Sequence, residues 1–198
     1  DVFYGRLKSY TDNIGTTNYA YYPYDSSYNA GGLNTVDGPW ANDTLQYTYD
    51  QLGRTATFSI NNRTQSFQYD SLGRLSSATN GLGLFNIQYL NDTSLVTNVQ
   101  YPNGLNTQFD YFDTDKDRYM LKELTNYLDT SKTQYVSKHE YQYNLNNDIS
   151  SWNIKDGAGA GQRLEFAYDA DGQLETVYKK ALTAGNPLQD YEHYRYDK

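Results

Sequence analysis

Residues 47–54 read Tyr47-Thr48-Tyr49-Asp50-Gln51-Leu52-Gly53-Arg54, and twenty residues later the chain reads Phe67-Gln68-Tyr69-Asp70-Ser71-Leu72-Gly73-Arg74. A third copy, Phe166-Ala167-Tyr168-Asp169-Ala170-Asp171-Gly172-Gln173, follows near the end of the chain. Looser copies place their second aromatic residue at Tyr24, Tyr89, Tyr111, Tyr143 and Tyr196. A unit of roughly constant length predicts a repeat architecture, in which function is spread over a surface.

Each unit predicts a strand that ends in a tight turn. Two aromatic residues separated by one position lie on the same face of a β-strand. The Asp-x-x-Gly that follows is typical of a turn, because the aspartate accepts backbone N–H groups and the glycine tolerates a positive φ. We therefore expect Gly53, Gly73 and Gly172 to have positive φ angles.

The residues after each turn predict a return strand and a second turn. Ala56, Phe58 and Ile60 alternate with polar residues, which predicts that these three share one face. Asn61-Asn62 and Asn80-Gly81 are the expected hairpin turns. Equal spacing further predicts a tyrosine ladder on one face, with apolar side chains between its members: Tyr49, Tyr69 and Tyr89, with Phe58, Phe67, Phe85 and Ile87.

Composition narrows the classes of function. The chain has 23 tyrosines, 7 phenylalanines and no cysteine among 198 residues, so its core must use tyrosine, and disulfides and thiolate chemistry are excluded. A net charge of −8 argues against nucleic acid and against an anionic membrane surface. No apolar run approaches the length of a membrane span, so we expect no membrane insertion.

The organisation along the chain predicts one repeat domain over residues 1–198: irregular over 1–46, regular over 47–111 and looser over 112–198. The chain starts within a turn and stops within a unit, which suggests a piece of something longer. An excised sheet exposes unpaired strand edges, so we expect weak self-association through the end strands. Residues 117–128 have helical spacing but occupy a strand position in the repeat; strand is favoured and helix remains open.

The phrase aromatic-x-Tyr-Asp-x-x-Gly-Arg-Leu resembles the YD repeat of the Rhs family, which includes bacterial Rhs proteins, the B and C shells of Tc toxins, wall-associated proteins and the extracellular region of teneurins. The match is strict at residues 49–54 and 69–75, good at 168–174, and partial elsewhere, where Leu90 and Phe112 replace the aspartate. The positions that carry the repeat are Tyr49, Asp50, Gly53, Arg54, Tyr69, Asp70, Gly73, Arg74, Tyr89, Tyr111, Tyr143, Tyr168, Asp169 and Gly172.

The resemblance implies an all-β fold: a curling antiparallel sheet of repeated β-hairpins that forms a spiral or partial shell. It implies an extracellular or cell-surface location and a structural role as a wall segment that encloses or displays another polypeptide, such as a toxin or effector. The partner is then the rest of the same chain or an enclosed polypeptide. The alternative is a surface module that binds carbohydrate on exposed aromatic side chains, with Trp40 and Trp152 as candidates.

No pattern of residues indicates an enzyme or a cofactor. Asp113, Asp115 and Asp117 have the spacing that opens a calcium loop, but the glycine and glutamate that complete an EF-hand are missing. They remain only a weak metal candidate. The two histidines, His139 and His193, have no partner at metal-ligand spacing, and His139 is in phase with Tyr141 and Tyr143 on one strand face. The aspartates of the repeats are explained by their turns.

Overall fold

The structure, a computed structural model, describes residues 5–26, 28–112, 119–157, 159, 161–182 and 189–194. These residues form strands and turns, with no helix among them. The strands are β1 Ser9–Thr11, β2 Thr16–Tyr21, β3 Leu33–Asp37, β4 Leu45–Tyr49, β5 Thr55–Ile60, β6 Arg63–Tyr69, β7 Leu75–Asn80, β8 Gly83–Tyr89, β9 Val96–Gln100, β10 Asn106–Tyr111, β11 Leu121–Tyr127, β12 Tyr135–Tyr143, β13 Ile149–Asp156, β14 Gln162–Tyr168, β15 Leu174–Ala181 and β16 Gln189–His193.

The sheet has the simplest topology available to hairpins. Its sixteen strands, counted over the described residues, hydrogen-bond in sequence order, and the strand pairs are antiparallel. The all-β prediction is confirmed. Residues 121–127 form strand β11, so the repeat context overrides the helical spacing of this segment. The candidate metal residues Asp113, Asp115 and Asp117 lie outside the described residues.

The pairing register places the repeat aromatics on one face. Tyr47 lies opposite Phe58, and Phe58 lies opposite Gln65, which shares its strand face with Phe67 and Tyr69. Phe67 lies opposite Ala78, which in turn lies opposite Phe85. Tyr49 shares the face of Tyr47 along β4, and Ile87 and Tyr89 alternate in phase with Phe85 along β8. These pairings agree with the ladder predicted from the spacing.

Two local predictions need correction. Alternation in β5 breaks at Thr55, which pairs with Tyr49 on the aromatic side and so does not share a face with Thr57, the partner of Thr48; Ala56 is the extra residue of a β-bulge. The Asn80-Gly81 turn is displaced by one residue, since Asn80 pairs with Gly83 and the loop is Gly81-Leu82. The Asn80 side chain accepts the Leu82 N–H at 2.8 Å, which fixes this register. The Asn61-Asn62 turn forms as predicted, with φ of 49° and 62°.

The sheet buries little apolar surface. Val177 is the one apolar side chain classed as buried among the described residues, whereas the most deeply buried side chains are the polar Asn106, Thr125 and Ser151. The described residues therefore contain almost no fully buried apolar side chains.

The chain divides into two compact units, residues 1–86 and 87–198. Each contains antiparallel hairpins of the same kind. The single domain expected over residues 1–198 stays a prediction. Among the described residues no helix is long and apolar enough to cross a membrane.

Candidate functional site

The Asp50 turn shows how one repeat closes. The Asp50 N–H donates to the Arg54 carbonyl at 2.9 Å, and the Gly53 N–H donates to the Asp50 carbonyl at 3.0 Å. The Asp50 carboxylate accepts the N–H groups of Leu52 and Arg54 at 2.9 and 3.0 Å. Gly53 has a φ of 76°, which completes a type I turn followed by a left-handed residue. The aspartate and the glycine therefore have the turn roles that the sequence predicts.

The Arg54 side chain completes this turn. Its Nε donates to Asp50 Oδ2 at 2.7 Å. This hydrogen bond is the largest cause that lowers the pKa of Asp50 below its usual value; desolvation opposes the change, and bonds from backbone N–H groups add to it. Asp70 and Arg74 repeat the contact at 2.7 Å. Desolvation is the largest single influence on the Asp70 pKa, but hydrogen bonds from Arg74 and Leu72 outweigh it, and that pKa is also lowered.

The same turn backbone recurs where the sequence changes. Residues 101–105, 144–148 and 169–173 form the same pair of backbone hydrogen bonds, from the first N–H to the fifth carbonyl and from the fourth N–H to the first carbonyl. The fourth residue has a positive φ in each: 87° at Gly104, 70° at Asn147 and 79° at Gly172. Gly53, Gly73 and Gly172 thus have the positive φ predicted for them.

In the 144–148 turn the carboxylate is at the fifth position instead of the first. Asn144 Oδ1 accepts the N–H groups of Asn146 and Asp148, each at 2.9 Å, as Asp50 does in its own turn. The Asn144 Nδ2 group donates to Asp148 Oδ2 at 3.1 Å. Here the fifth residue carries the carboxylate, and the ion pair is replaced by a hydrogen bond between an amide and a carboxylate.

In five units the tyrosine before a turn connects that turn to the preceding one. Its hydroxyl donates to the backbone carbonyl of the residue that opens an odd-numbered strand, which follows directly on the preceding turn segment. The pairs are Tyr49 to Leu33, Tyr69 to Thr55, Tyr111 to Val96, Tyr143 to Leu121 and Tyr168 to Ile149, at 2.8–2.9 Å. Each bond satisfies a tyrosine hydroxyl and a backbone acceptor that burial would otherwise penalise.

Partial burial raises the pKa of most of these hydroxyls. It is the first cause for Tyr49, Tyr111, Tyr143 and Tyr168. For Tyr168 the negative charge of Asp148 raises the pKa further. In the corresponding place of the strict repeat, the Arg54 guanidinium lies over the Tyr69 ring, 4.3 Å from its centre. The fifth turn residue therefore acts on the tyrosine of the next repeat in both cases. Arg54 places its cation over the Tyr69 ring, whereas the negative charge of Asp148 raises the pKa of Tyr168.

In residues 87–198 the two sheet faces differ. One face, called here the aromatic face, carries Phe109, Leu124, His139, Tyr141, Trp152 and Ile154, which pair strand to strand. Trp152 stacks on Tyr141 at 5.9 Å with an interplanar angle of 16°. Its Nε1 donates to His139 Nδ1 at 3.3 Å. Trp152 and His139 thus belong to an aromatic cluster, and His139 lies on the face of Tyr141 as predicted.

The opposite face, called here the polar face, carries alternating charges. Glu123 lies directly across from Glu140, and Lys138 contacts their carboxylates at 2.8 and 3.2 Å. Lys155 reaches Glu140 at 3.4 Å. Desolvation would lower the pKa of Lys138, but the carboxylates outweigh it and raise that pKa. The face also holds a reciprocal amide pair, Asn98 with Asn106, at 2.9 and 3.0 Å.

The other predicted candidates lie apart from these contacts. Trp40 is in the segment between β3 and β4, where its side chain is 66% exposed. Among the described residues no three His, Cys, Asp or Glu side chains group closely enough to hold a metal ion. The repeat positions Tyr89 and Tyr111 end β8 and β10, and the loop after Tyr89 is closed by a bond from the Leu90 N–H to the Leu95 carbonyl at 2.8 Å.

Sequence reasoning missed two features of the site. The carbonyl partners of the tyrosines left no signal, because a backbone acceptor is present at every residue. The turn at residues 101–105 did leave one, since Asn103-Gly104 is a strong turn dipeptide, but Tyr101 occupies the position of the aspartate.

Residues 24–120 match the family model described as the Teneurin YD-shell. This match covers just under half of the chain. No curated protein sequence matches it. The fold is similar to the Tc holotoxin pore of Photorhabdus luminescens, with a TM-score of 0.56 and 13% identity over 94% of this chain. Two crystal structures of TcdB2–TccC3, one with Cdc42 and one without the hypervariable C-terminal region, match at TM-scores of 0.56 and 0.55 and 13% identity.

At this identity the likeness to the toxins shows that the YD-repeat fold is shared. The chain spans 12% of the length of each matched toxin chain. The predicted resemblance to the Rhs/YD-repeat family is confirmed by the family match together with these structures.

Proposed function

We propose that this chain is a structural wall segment of an exported YD-type shell that encloses or displays another polypeptide. The observation that carries the proposal is a sheet with almost no fully buried apolar side chains among its described residues, in which five tyrosine hydroxyls and the Arg54 side chain connect one hairpin to the next. Such a sheet maintains its form through contacts between neighbouring hairpins, as a repeat wall does.

The comparisons support the same role. The family model is that of a shell, and the matched structures come from Tc toxin assemblies. Export agrees with this family. The partner we propose is another part of the same longer chain, or a polypeptide that the wall surrounds.

The test uses the longer chain that contains residues 1–198. Limited proteolysis of the native protein should leave a protected segment outside the YD repeats, and heat denaturation should abolish that protection. The same segment expressed alone is the control and should be cleaved quickly. Equal cleavage rates in the native chain and in isolation would contradict enclosure and leave only display.

Carbohydrate binding is the alternative, and the placement of the tyrosines disfavours it. The exposed tyrosines of the described residues, Tyr10, Tyr24, Tyr28 and Tyr194, lie in the first strand or outside strands rather than in rows on a sheet face. A glycan array should therefore give no specific signal. A glycan that binds the natural chain but not Trp40→Ala would favour the alternative.

A further inference from the structure

Two turns of the sheet contain the same tripeptide. Residues 80–82 and residues 103–105 both read Asn-Gly-Leu. An asparagine that precedes a glycine is chemically labile, because glycine has no side chain to keep its own backbone nitrogen from attacking the amide carbon of the asparagine. The two turns therefore offer a comparison in which the reacting residues are identical and the folded geometry differs.

The two asparagine side chains are held in the same way. Asn80 Oδ1 accepts the Leu82 N–H at 2.8 Å, and Asn103 Oδ1 accepts the Leu105 N–H at 3.2 Å. Such a bond from a side chain to the backbone two residues on closes a ring that contains the glycine nitrogen. The ring holds the amide carbon of each asparagine close to that nitrogen, so the group that would be attacked is placed alike in both turns.

The two glycine nitrogens, which would attack, are held differently. The Gly104 N–H donates to the Tyr101 carbonyl at 3.0 Å, and this bond closes the turn. It must break before the nitrogen can lose its proton and attack. The Gly81 N–H has no hydrogen-bond partner among the described residues, since Asn80 pairs with Gly83 and Gly81 is the first residue of the loop between them. Attack at Asn80 therefore breaks no backbone hydrogen bond of the glycine.

Space and water are also available at this loop. Residues 80–82 line a surface groove of about 740 Å³, and Leu82 at the tip of the loop is 79% exposed. Apart from its neighbours in the chain, Gly81 has no atom within 4 Å of the position that a Cβ would occupy. The nitrogen of Gly81 can therefore move toward the Asn80 side chain without a clash, and water can reach the product.

We propose that Asn80 is a site of spontaneous deamidation and that the turn at residues 101–105 protects Asn103 from the same reaction. The Gly81 nitrogen forms a bond to Cγ of Asn80, the bond from Cγ to Nδ2 breaks, and Nδ2 leaves as ammonia with the proton of the Gly81 nitrogen. Water then opens the resulting succinimide. Opening at Cγ gives aspartate, whereas opening at the main-chain carbonyl of residue 80 gives isoaspartate, and water is the only co-reactant.

The isoaspartate product should weaken the hairpin formed by β7 and β8. It inserts the side-chain methylene group into the backbone just before Gly81, at the end of the hairpin where Asn80 pairs with Gly83. It also removes the side-chain oxygen that fixes the Leu82 N–H. This modification is independent of the proposed wall role and holds whether or not the wall encloses another polypeptide.

The first test follows both asparagines in the natural chain at mildly alkaline pH, using peptide mapping by mass spectrometry to detect the gain in mass. Asn80 should convert several-fold faster than Asn103 in the folded chain, although Asn103 is the more exposed of the two. In guanidinium chloride the two rates should converge, because the reacting residues are the same. Equal rates in the folded chain, or a faster rate at Asn103, would overturn the proposal.

The second test compares Gly81→Ala with Leu82→Ala. The alanine methyl group at position 81 has room and should slow conversion of Asn80 several-fold, whereas Leu82→Ala keeps the Asn-Gly pair and should convert at the natural rate. During incubation the melting temperature of the natural chain should fall as isoaspartate accumulates, and that of Gly81→Ala should not. Conversion in Gly81→Ala at the natural rate would refute the attack by Gly81, and conversion of the natural chain without a fall in melting temperature would refute the effect on the hairpin.

Discussion

The strict turns at residues 50–54 and 70–74 and the divergent turn at residues 144–148 share one backbone but close it with different chemistry. In the strict turns an aspartate caps the turn and an arginine binds the aspartate. In the divergent turn an asparagine caps and an aspartate binds the asparagine. The backbone hydrogen bonds are the same in all three.

This comparison separates what the fold requires from what a particular repeat adds. The fold requires a residue that tolerates positive φ at the fourth turn position, whereas a side-chain acceptor at the first position caps these three turns but is replaced by Asn103 in the turn that begins at Tyr101. Asn147 meets this requirement without glycine, with a φ of 70°, because asparagine tolerates the left-handed region better than most residues. The Asp–Arg ion pairs of the strict turns are not required by the backbone geometry. We expect them to make the stability of the strict turns depend on pH differently from that of the divergent turn.

The largest expected effect on stability comes from substituting the glycine at the fourth turn position, which has a left-handed backbone conformation. Gly73→Val should lower the free energy of unfolding by about 1–2 kcal/mol or more, because a side chain at positive φ clashes with its own backbone. A Cβ at Gly73 would also lie 3.4 Å from Arg54 Nη1. Urea denaturation measures the change. Asn147→Gly is the matched control and should be nearly neutral; a large effect there with none at Gly73 would contradict the shared turn geometry.

The next effect is loss of a tyrosine hydroxyl. Tyr69→Phe and Tyr168→Phe should each cost about 1 kcal/mol, because the partly buried carbonyl of Thr55 or Ile149 loses its donor. Phenylalanine retains the ring, so the contact with Arg54 is kept and the hydroxyl alone is tested. Thermal melts should show similar losses of stability for the two variants. A loss at only one site would mean that the tyrosine bond depends on the charged fifth residue.

Sequence alone predicted the features that local chemistry dictates. The turn aspartates, the glycines with positive φ and the shared aromatic face all follow from spacing and residue type. The strand at residues 121–127 required the repeat, since the spacing of those residues by itself is helical. The bulge at Ala56 could not be predicted, because the alternating pattern continues through it unchanged.

The sequence alone could not predict the contacts between repeats. Tyr69 donates to a carbonyl and lies against Arg54, and neither partner is specified by residues near it in the chain. The exchange of roles between Asn144 and Asp148 was hidden for a related reason: Asn144 resembles the capping aspartate, but nothing marks Asp148 as its partner. The functional roles of the repeat positions stay predictions, as does self-association through the end strands.

A smaller effect should appear at acid pH. Because the pKa values of Asp50 and Asp70 are lowered in the folded state, their contribution to stability is present above the unfolded value of about 3.9 and is lost as the pH falls through the folded value. Asp50→Asn/Asp70→Asn imitates Asn144 and should lower stability at pH 7 but reduce its further loss between pH 4 and pH 2. Melting curves at these pH values measure it; an unchanged acid slope would contradict a role for the charged turns.

The smallest effect should appear at alkaline pH, at the divergent turn. The pKa of Tyr168 is raised by burial and by Asp148, so stability is complete below the unfolded value of about 10 and is lost as the pH rises through the folded value. Asp148→Asn removes the repulsion, which brings the folded pKa closer to the unfolded one and reduces the loss. The difference in melting temperature between pH 8 and pH 11 should therefore be smaller in Asp148→Asn than in the natural chain.

The control for this alkaline effect is the same substitution in a Tyr168→Phe background. Without the ionisable hydroxyl, Asp148→Asn should no longer change the difference between pH 8 and pH 11. A change of equal size in both backgrounds would mean that Asp148 acts through its bond to Asn144 and not through Tyr168. The fifth turn residue would then stabilise only its own turn in this repeat, whereas Arg54 also contacts the tyrosine of the next one.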